Sequence, residues 1–579
     1  AWSWARTTAG ERRRMLLDAA TELAAGRSDA ISVMAAEAGK TFAEADPEVS
    51  EAVDYARWYA RELETLEPLL AEVASEPLGV VVVTPPWNFP FAIPAGGVLA
   101  ALAAGNAVIL KPSPEAPATA ALLCAQLWSA GLPDGLLGLS AAPDGPAGRR
   151  LVAHPDVGAV VLTGSLDTAR MFLGWAPQHR LLAETSGKNA MVVGATADVD
   201  LAVADLVRSA FGHAGQKCSA ASLAIVEASV HDRSPFLRQL ADATRSLRVG
   251  PASDPATEMG PIVGPFTPAL ERALTSLDPG ESWLVEPRAL DEVGRLWSPG
   301  VRLGVRPGSW AHQTEWFGPM LAVLRADGLD EALAIQNAVS FGLTAGLHSL
   351  DPVEHARWAE QVEAGNLYVN RPTTGALVGR QPFGGWKASS VGPTAKAGGP
   401  NYLLALRRWH DAEPTGVHEA EASYRHWWSS YFSQGHDVAG LRAEANVLRY
   451  RKFTPGVLLR VAGDDGAEDA RKAAAAAAVT GTPLRVSVAP SLRGLAADLR
   501  RRGLDAECEE ASVLEPRLAS GARLRLVGGP EPATLAAAAR AGVAVLDEPV
   551  CSHGRIELVR WLREQTLSRS LHRYGNVVY

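Results

Sequence analysis

Cys218 sits in Gly212-His213-Ala214-Gly215-Gln216-Lys217-Cys218-Ser219, a small and polar setting unlike that of a core cysteine. A thiolate nucleophile needs partial exposure, positive potential and room for a substrate. A glycine-containing segment with Lys217 alongside is compatible with all three. The competing reading is a buried structural thiol, a common fate of free cysteine. A protease-like pairing with His213 is disfavoured, because a separation of five residues along a helix puts the two side chains on different faces. Glu184, in Leu181-Leu182-Ala183-Glu184-Thr185-Ser186-Gly187-Lys188, leads from an apolar strand into a glycine-containing turn. A carboxylate there can serve as general base toward water, although taken alone it also reads as a cap or an ion-pair partner. Asn88, in Pro85-Pro86-Trp87-Asn88-Phe89-Pro90, follows a valine-rich run. An amide donor on a Pro-bounded loop at a strand's C-terminal end suits a developing oxyanion; the alternative is a turn asparagine.

Two weaker signals also follow strands. The backbone N–H groups of Thr163-Gly164-Ser165 precede a helix and could receive a pyrophosphate, although the segment is not a GxGxxG fingerprint. Lys111, in Lys111-Pro112-Ser113-Pro114, could bond a cofactor ribose. Either segment also reads as an ordinary turn.

These residues need rigid supports, and the chain supplies them. About 70 residues at the start carry apolar positions at helical spacing and are expected to form a helical layer. Short β-branched runs then alternate with helical stretches: Val80 to Thr84, Ala107 to Leu110, Val157 to Thr163, Ala190 to Val193 and Ser222 to Val226. That alternation predicts parallel strands with helical crossovers, an α/β fold with a doubly wound sheet. Asp411 to Tyr424 is polar and reads as a linker. Beyond it, Pro455 to Arg460, Leu484 to Val488 and Leu524 to Val527 predict another α/β unit with Ala-rich helices.

At 579 residues the chain has room for three or four compact units, and 47% apolar with 21% charged residues is an ordinary globular composition. A net charge of −9 offers no footprint for nucleic acid. The longest apolar runs are short or broken by Pro and Gly, so no membrane span is expected, and the N-terminus lacks the order of a signal peptide. A cytoplasmic location follows as an expectation. Four cysteines without a CxxC pair predict neither a disulfide framework nor a metal site.

In order and approximate separation, these segments resemble the NAD-dependent aldehyde dehydrogenase superfamily over roughly residues 1–410. Glu315-Trp316-Phe317-Gly318-Pro319 and Gln381-Pro382-Phe383-Gly384-Gly385 add to the likeness. The resemblance implies a Rossmann-like NAD-binding domain and an α/β catalytic domain. It implies attack by Cys218 on an aldehyde, with Asn88 and the Cys218 N–H holding the oxyanion, and hydride transfer to NAD. Glu184 would then drive hydrolysis of the thioester. Glu315 would bond the nicotinamide ribose with Phe317 packed nearby, and Lys111, Ser113 and Ser165 would face the adenosine and pyrophosphate side. One departure stands out: Pro114 occupies the place of a ribose-binding Glu found in many relatives, with Glu115 one step later.

The run from Tyr368 through Thr374-Gly375-Ala376-Leu377 to Phe383 resembles the anchor loop of glutamate γ-semialdehyde dehydrogenases. Backbone N–H groups at Gly375 and Ala376 could hold an α-carboxylate as an anion nest does. Ala376 replaces a Ser of some relatives. Lys217 and Ser219 would add polar contacts, and Phe89 and Phe383 would sandwich the aliphatic middle of the substrate. Core packing is the other reading of Phe383. Glu444 to Tyr450 and the ending Arg563 to Asn576 resemble the extra, non-catalytic domain of long bifunctional proline-utilisation enzymes. Expected partners are therefore a small-molecule substrate, a proline dehydrogenase domain or protein, and further copies of the chain. The expected division is 1–183 for NAD binding, 184–365 for catalysis, 366–410 for the anchor loop and return, 411–424 for a linker, and 425–579 for the extra domain. Two other readings remain: a dehydrogenase for a different ω-semialdehyde such as succinate semialdehyde, or a docking partner whose Arg569 to Asn576 segment seals a channel.

Overall fold

A computed structural model describes residues 2–233, 235–264, 266–393, 395–518, 521–573 and 576–577. The helical start forms as its spacing predicts. Thr8 and Glu11 close a capping box on the helix Ala9–Ala25. The 31-residue helix Phe42–Glu72 buries Ala45, Val49, Ala52, Ala56, Tyr59 and Leu63, a stripe at three- and four-residue steps. That stripe packs with the apolar helix Ala92–Ala103 into one core over the first sheet.

The first sheet has six strands in the order Ser390–Val391, Arg180–Glu184, Val157–Thr163, Val80–Thr84, Ala107–Leu110 and Leu137–Leu139, parallel except for the first. Val81, Val82 and Val83 are buried, as expected for a strand covered on both faces. The chain runs outward from Val80–Thr84 to one edge and then returns to its other side. The switch point therefore lies between Thr84 and Thr163, where open α/β sheets bind ligands.

Asn189–Val193 and Ala221–Glu227 do not extend this sheet. They lie in a second, nine-stranded sheet with Thr344–His348, Asn366–Val369, Met320–Ala326 and their neighbours. Strand periodicity cannot assign a strand to a sheet, so a single doubly wound sheet was too simple an expectation.

The third sheet is five-stranded and wholly parallel, around Val457–Val461, Leu484–Val488 and Arg523–Val527, with the helix Gly466–Thr480 against it. The additional α/β unit is thus present, but its expected limits need two corrections. The stretch 411–424 is not a free linker. Asp411 accepts hydrogen bonds from Ser552 and Lys472, and the helix Val417–Trp427 buries Ala420 and Tyr424 in the unit's core. Nor is 425–579 self-contained, because Glu444–Lys452 and Leu562–Ser570 join the nine-stranded sheet. Leu562–Ser570 pairs in parallel with Asn366–Val369 and in antiparallel with Glu444–Lys452. Among the described residues no helix is long and apolar enough to cross a membrane.

Candidate active site

A cavity of about 450 Å3 opens at the switch point of the first sheet. Cys218, Glu184, Thr163, Phe89, Lys217 and Ser219 line it together with Gly375, Ala376 and Phe383. Residues from five distant stretches of the chain thus meet around one sulfur.

The cysteine loop is held in a strained form. His213, Ala214 and Gly215 take φ of 53°, 51° and 67° in succession. Such non-glycine geometry costs on the order of 1–3 kcal/mol per residue and needs strong surroundings to persist. A side chain at Gly215 would meet the Gly318 carbonyl oxygen at 2.2 Å. Glu44 accepts a hydrogen bond from the His213 backbone N–H and stands 3.5 Å from its ring Nδ1. Burial by itself raises the Glu44 carboxyl, but the His213 hydrogen bond and the charges of His213, Lys217 and Lys40 hold it below its usual range. Gln216 and Val263 exchange two hydrogen bonds of 2.9 and 2.8 Å. The Asn189 side-chain amide donates to the carbonyls of Cys218 and Ala220 at 2.7 and 2.9 Å.

Asn88 is buried behind the cavity wall, and its side-chain amide donates to the Gln216 carbonyl at 2.8 Å. An asparagine amide carries two N–H donors, so the second remains for an oxyanion. The loop carrying it is pinned from below. Lys40 pairs with Glu48 at 2.6 Å, both fully buried, and donates to the Asn88 carbonyl at 2.7 Å. Glu48 in turn accepts from the N–H groups of Phe91 and Ala92 at 2.9 and 3.0 Å. Lys40 also lies 4.2 Å from the centre of the Phe89 ring.

Cys218 keeps partial exposure. The potential at its sulfur is the reverse of the positive one expected from Lys217. Burial pushes the thiol well up, and the charges of Glu184 and Glu315 push it further, so the resting group is a thiol. The Lys217 ammonium is itself lowered by burial. Activation therefore requires a base, and Glu184 is placed for that task. Burial raises its carboxyl to about 7 against the opposing pull of Lys396, so it titrates near neutrality.

Lys396 and its supports escaped the sequence reading. Its ammonium donates to Asn366 Oδ1 at 2.7 Å and to the Gly384 carbonyl. Its backbone N–H donates to Glu564 Oε2 at 2.7 Å. Burial pulls Lys396 down, while Glu564 and Glu184 oppose that shift. Glu564 is 2% exposed and is carried on Leu562–Ser570, so a strand from the far end of the chain reaches the base. No local motif marks Glu564; only its register in the sheet does.

The anchor loop is fastened at both ends. Thr373 donates to the Ser219 carbonyl at 3.1 Å, and its N–H donates to Ser209 at 3.1 Å. Gln381 donates to Asn446 and Ser568, and Arg371 donates to Ser568 at 2.6 Å. Gly375 takes φ 83° at the loop's exposed tip.

For a dinucleotide the donor set fits. Lys111 is buried, and its charge partner is the largely exposed Asp144 at 2.9 Å, an ion pair a ribose hydroxyl can displace. Ser165 caps the helix Leu166–Trp175 by accepting from the Thr168 N–H at 3.1 Å, so the helix N-terminus faces an anion's path. Glu315 accepts from the Gly187 N–H at 2.8 Å and from the Ser186 hydroxyl, which fixes a carboxylate where a ribose diol would bond. Phe317 takes φ 52° and meets Trp87 edge-on at 5.8 Å. Two expectations need correction. The Gly164 N–H donates to the Glu184 carbonyl at 3.1 Å and is not free for a pyrophosphate. Ser113 donates to Glu115, so the residue one step after Pro114 is engaged by a side chain of this loop.

Residues 1–409 match the aldehyde dehydrogenase family. A 1-pyrroline-5-carboxylate dehydrogenase of Geobacillus sp. (strain WCH70) is 37% identical over 424 residues, covering 69% of this chain and 81% of that protein. Among solved structures, proline utilization A from Corynebacterium freiburgense is 45% identical with a TM-score of 0.89, covering 99% of this chain. The match spans 58% of that longer chain. A 1-pyrroline-5-carboxylate dehydrogenase from Thermus with bound NAD is 34% identical with a TM-score of 0.66, over 70% of this chain and 82% of its own. The strained cysteine loop, the buried Glu184 carboxyl in the same cavity and these matches converge, and the chain belongs to the aldehyde dehydrogenase family.

Proposed function

We propose that the chain oxidises L-glutamate γ-semialdehyde to L-glutamate with NAD. The observation that carries this reading is one cavity lined by Cys218, Glu184, Gly375 and Ala376 together. The anchor loop takes the α-carboxylate, Phe89 and Phe383 flank the methylene chain, and the aldehyde lies at the sulfur. The relatives named as 1-pyrroline-5-carboxylate dehydrogenases support this substrate, which forms from pyrroline-5-carboxylate by hydrolytic ring opening.

Glu184 accepts the thiol proton as the Cys218 sulfur bonds to the carbonyl carbon, and the oxygen becomes an oxyanion beside the Asn88 amide. Lys111, Ser165 and Glu315 would hold NAD, which would supply the hydride acceptor for the thiohemiacetal carbon. Glu184 releases the thiol proton to solvent, then as a carboxylate takes a proton from the water that attacks the resulting thioester and passes it to the departing thiolate. Glutamate departs and the Cys218 thiol is restored.

Purified protein is expected to reduce NAD when given pyrroline-5-carboxylate, and Cys218→Ala to abolish the reaction. Turnover surviving that substitution would overturn the nucleophile. A different ω-semialdehyde is separated by comparing kcat/KM for glutamate γ-semialdehyde and succinate semialdehyde. A site that bonds the α-substituents discriminates strongly against an analogue lacking the amine.

A proline dehydrogenase unit is the proposed source of substrate, supported by the likeness to proline utilization A over nearly the whole chain. The proposed channel seal, Arg569 to Asn576, includes Tyr574 and Gly575, which lie outside the described residues. A cytoplasmic location and self-association remain part of the proposal.

A further inference from the structure

A second cavity, of about 710 Å3, lies where the three sheets meet, with none of the cysteine cavity's lining residues in its wall. Ser390 and Val391 reach it from the first sheet, Arg563 from the second and Arg523 from the third.

Arg563 is 8% exposed, yet among the described residues its guanidinium has neither a hydrogen bond nor a carboxylate within ion-pair distance. It lies 4.0 Å from the centre of the Phe453 ring and 5.5 Å from that of Trp386. Arg302, Arg460 and Arg525 pair with Glu281 at 3.0 Å, Glu531 at 2.7 Å and Glu557 at 3.1 Å, whereas buried Arg12 and Arg555 share with Arg563 the lack of a carboxylate within ion-pair distance among the described residues. Arg523 stands 4.3 Å from the same Phe453 ring, which places two guanidiniums against one aromatic side chain. Glu363, the acidic side chain in the cavity wall, is held by Lys387 at 2.6 Å. A chain with a net charge of −9 thus presents a local excess of positive charge in a pocket with aromatic walls. The charge of Glu363 and the two rings favour the guanidinium, but no acceptor is hydrogen-bonded to it, and a ligand oxygen would supply that partner.

We propose that this cavity binds a small organic oxyanion, with Arg563 as its bidentate partner and Arg523 as the second cation. The guanidinium fork matches the paired oxygens of a carboxylate or a phosphate. Phe453 and Trp386 provide surfaces for the ligand's carbon skeleton. A ligand seated there touches all three sheets. It also reaches Ser390, which pairs in register with Glu184.

The test uses the full chain saturated with NAD, so that the cofactor's own anion sites are filled. Orthophosphate and glutarate are titrated separately by thermal melting and calorimetry, on the wild type and on Arg563→Met. One of the two anions is expected to raise the wild-type melting temperature by about 1 °C at tenfold over its Kd. The responding arm identifies phosphate or carboxylate as the ligand's head group. The rise should vanish in Arg563→Met, while the anion-free variant should melt no lower than the wild type, since it has lost an unpaired buried charge. Crystals soaked in selenate should show an anomalous peak within hydrogen-bonding reach of Arg563. The proposal is overturned if neither anion shifts the wild type or if the shift survives the substitution. It also fails if the anion-free variant melts lower, which would make Arg563 a structural residue.

Discussion

At the scale of single residues, a chain of buried charges sets the protonation of the base. Glu184 lies near Lys396 across Gly384: a side chain added at Gly384 would stand 3.7 Å from Glu184 Oε2 and 3.2 Å from Lys396 Cγ. Glu564 is bonded to the Lys396 backbone, and its charge favours the ammonium form of Lys396. Thioester hydrolysis requires the deprotonated carboxylate, so kcat should rise with pH through a midpoint of about 7. Lys396→Met removes the cation that favours the carboxylate and should move that midpoint upward by about one pH unit, equivalent to ~1.4 kcal/mol. Glu564→Gln acts in the same direction by one more step. It weakens the hold on the Lys396 proton, Lys396 becomes neutral over more of the range, and the Glu184 midpoint rises by less. Steady-state pH profiles with an independent measure of fold check both; an unmoved midpoint would deny the coupling. In Glu184→Gln both the thiol and the attacking water lose their base, so steady-state turnover should fall by at least roughly 10²–10⁴.

Among the elements, loops do the chemistry and the strands and helices beneath them set the geometry. The Asn88 loop lies on the Lys40–Glu48 pair of the helical layer, and the anchor loop lies on two strands from the C-terminal region. Gln381→Ala removes the bonds to Asn446 and Ser568 without touching the sulfur or the cofactor donors. The KM for the semialdehyde should rise several-fold while the KM for NAD stays unchanged, as two-substrate kinetics will show. Equal effects on both would mean a general loosening instead. The short motifs around these loops were legible because a strained turn, a Pro-bounded loop and a strand end each restrict residue type. The supports were not: Lys40 and Glu48 sit in a stretch that reads as ordinary helix, and Glu564 lies in a segment legible only by its resemblance to the extra domain, with nothing to say that it reaches Lys396.

On the scale of the whole molecule, the C-terminal region is part of the catalytic unit's architecture. Leu562–Ser570 covers the edge of Asn366–Val369 and brings Glu564 and Ser568 to the site. A chain ending at residue 442 would lose that strand and bare an apolar edge whose N–H and C=O groups are ready to pair with another chain. It should lose semialdehyde oxidation and elute as aggregates in size-exclusion chromatography. A monodisperse, fully active truncation would refute this role.

By itself the sequence determined the chemistry: a cysteine, a carboxylate and an amide in local settings that restrict what each can do, and the alternation of helices and strands that carries them. Local physics acts over a few residues and leaves its mark in the order of residue types. Tertiary structure alone decided which strands share a sheet and that burial, not Lys217, governs the thiol. It also decided that the general base is coupled through Lys396 to a glutamate 380 positions away, between residues 184 and 564. Those outcomes depend on long-range register and on exclusion of water, and neither leaves a signature in a short window of sequence.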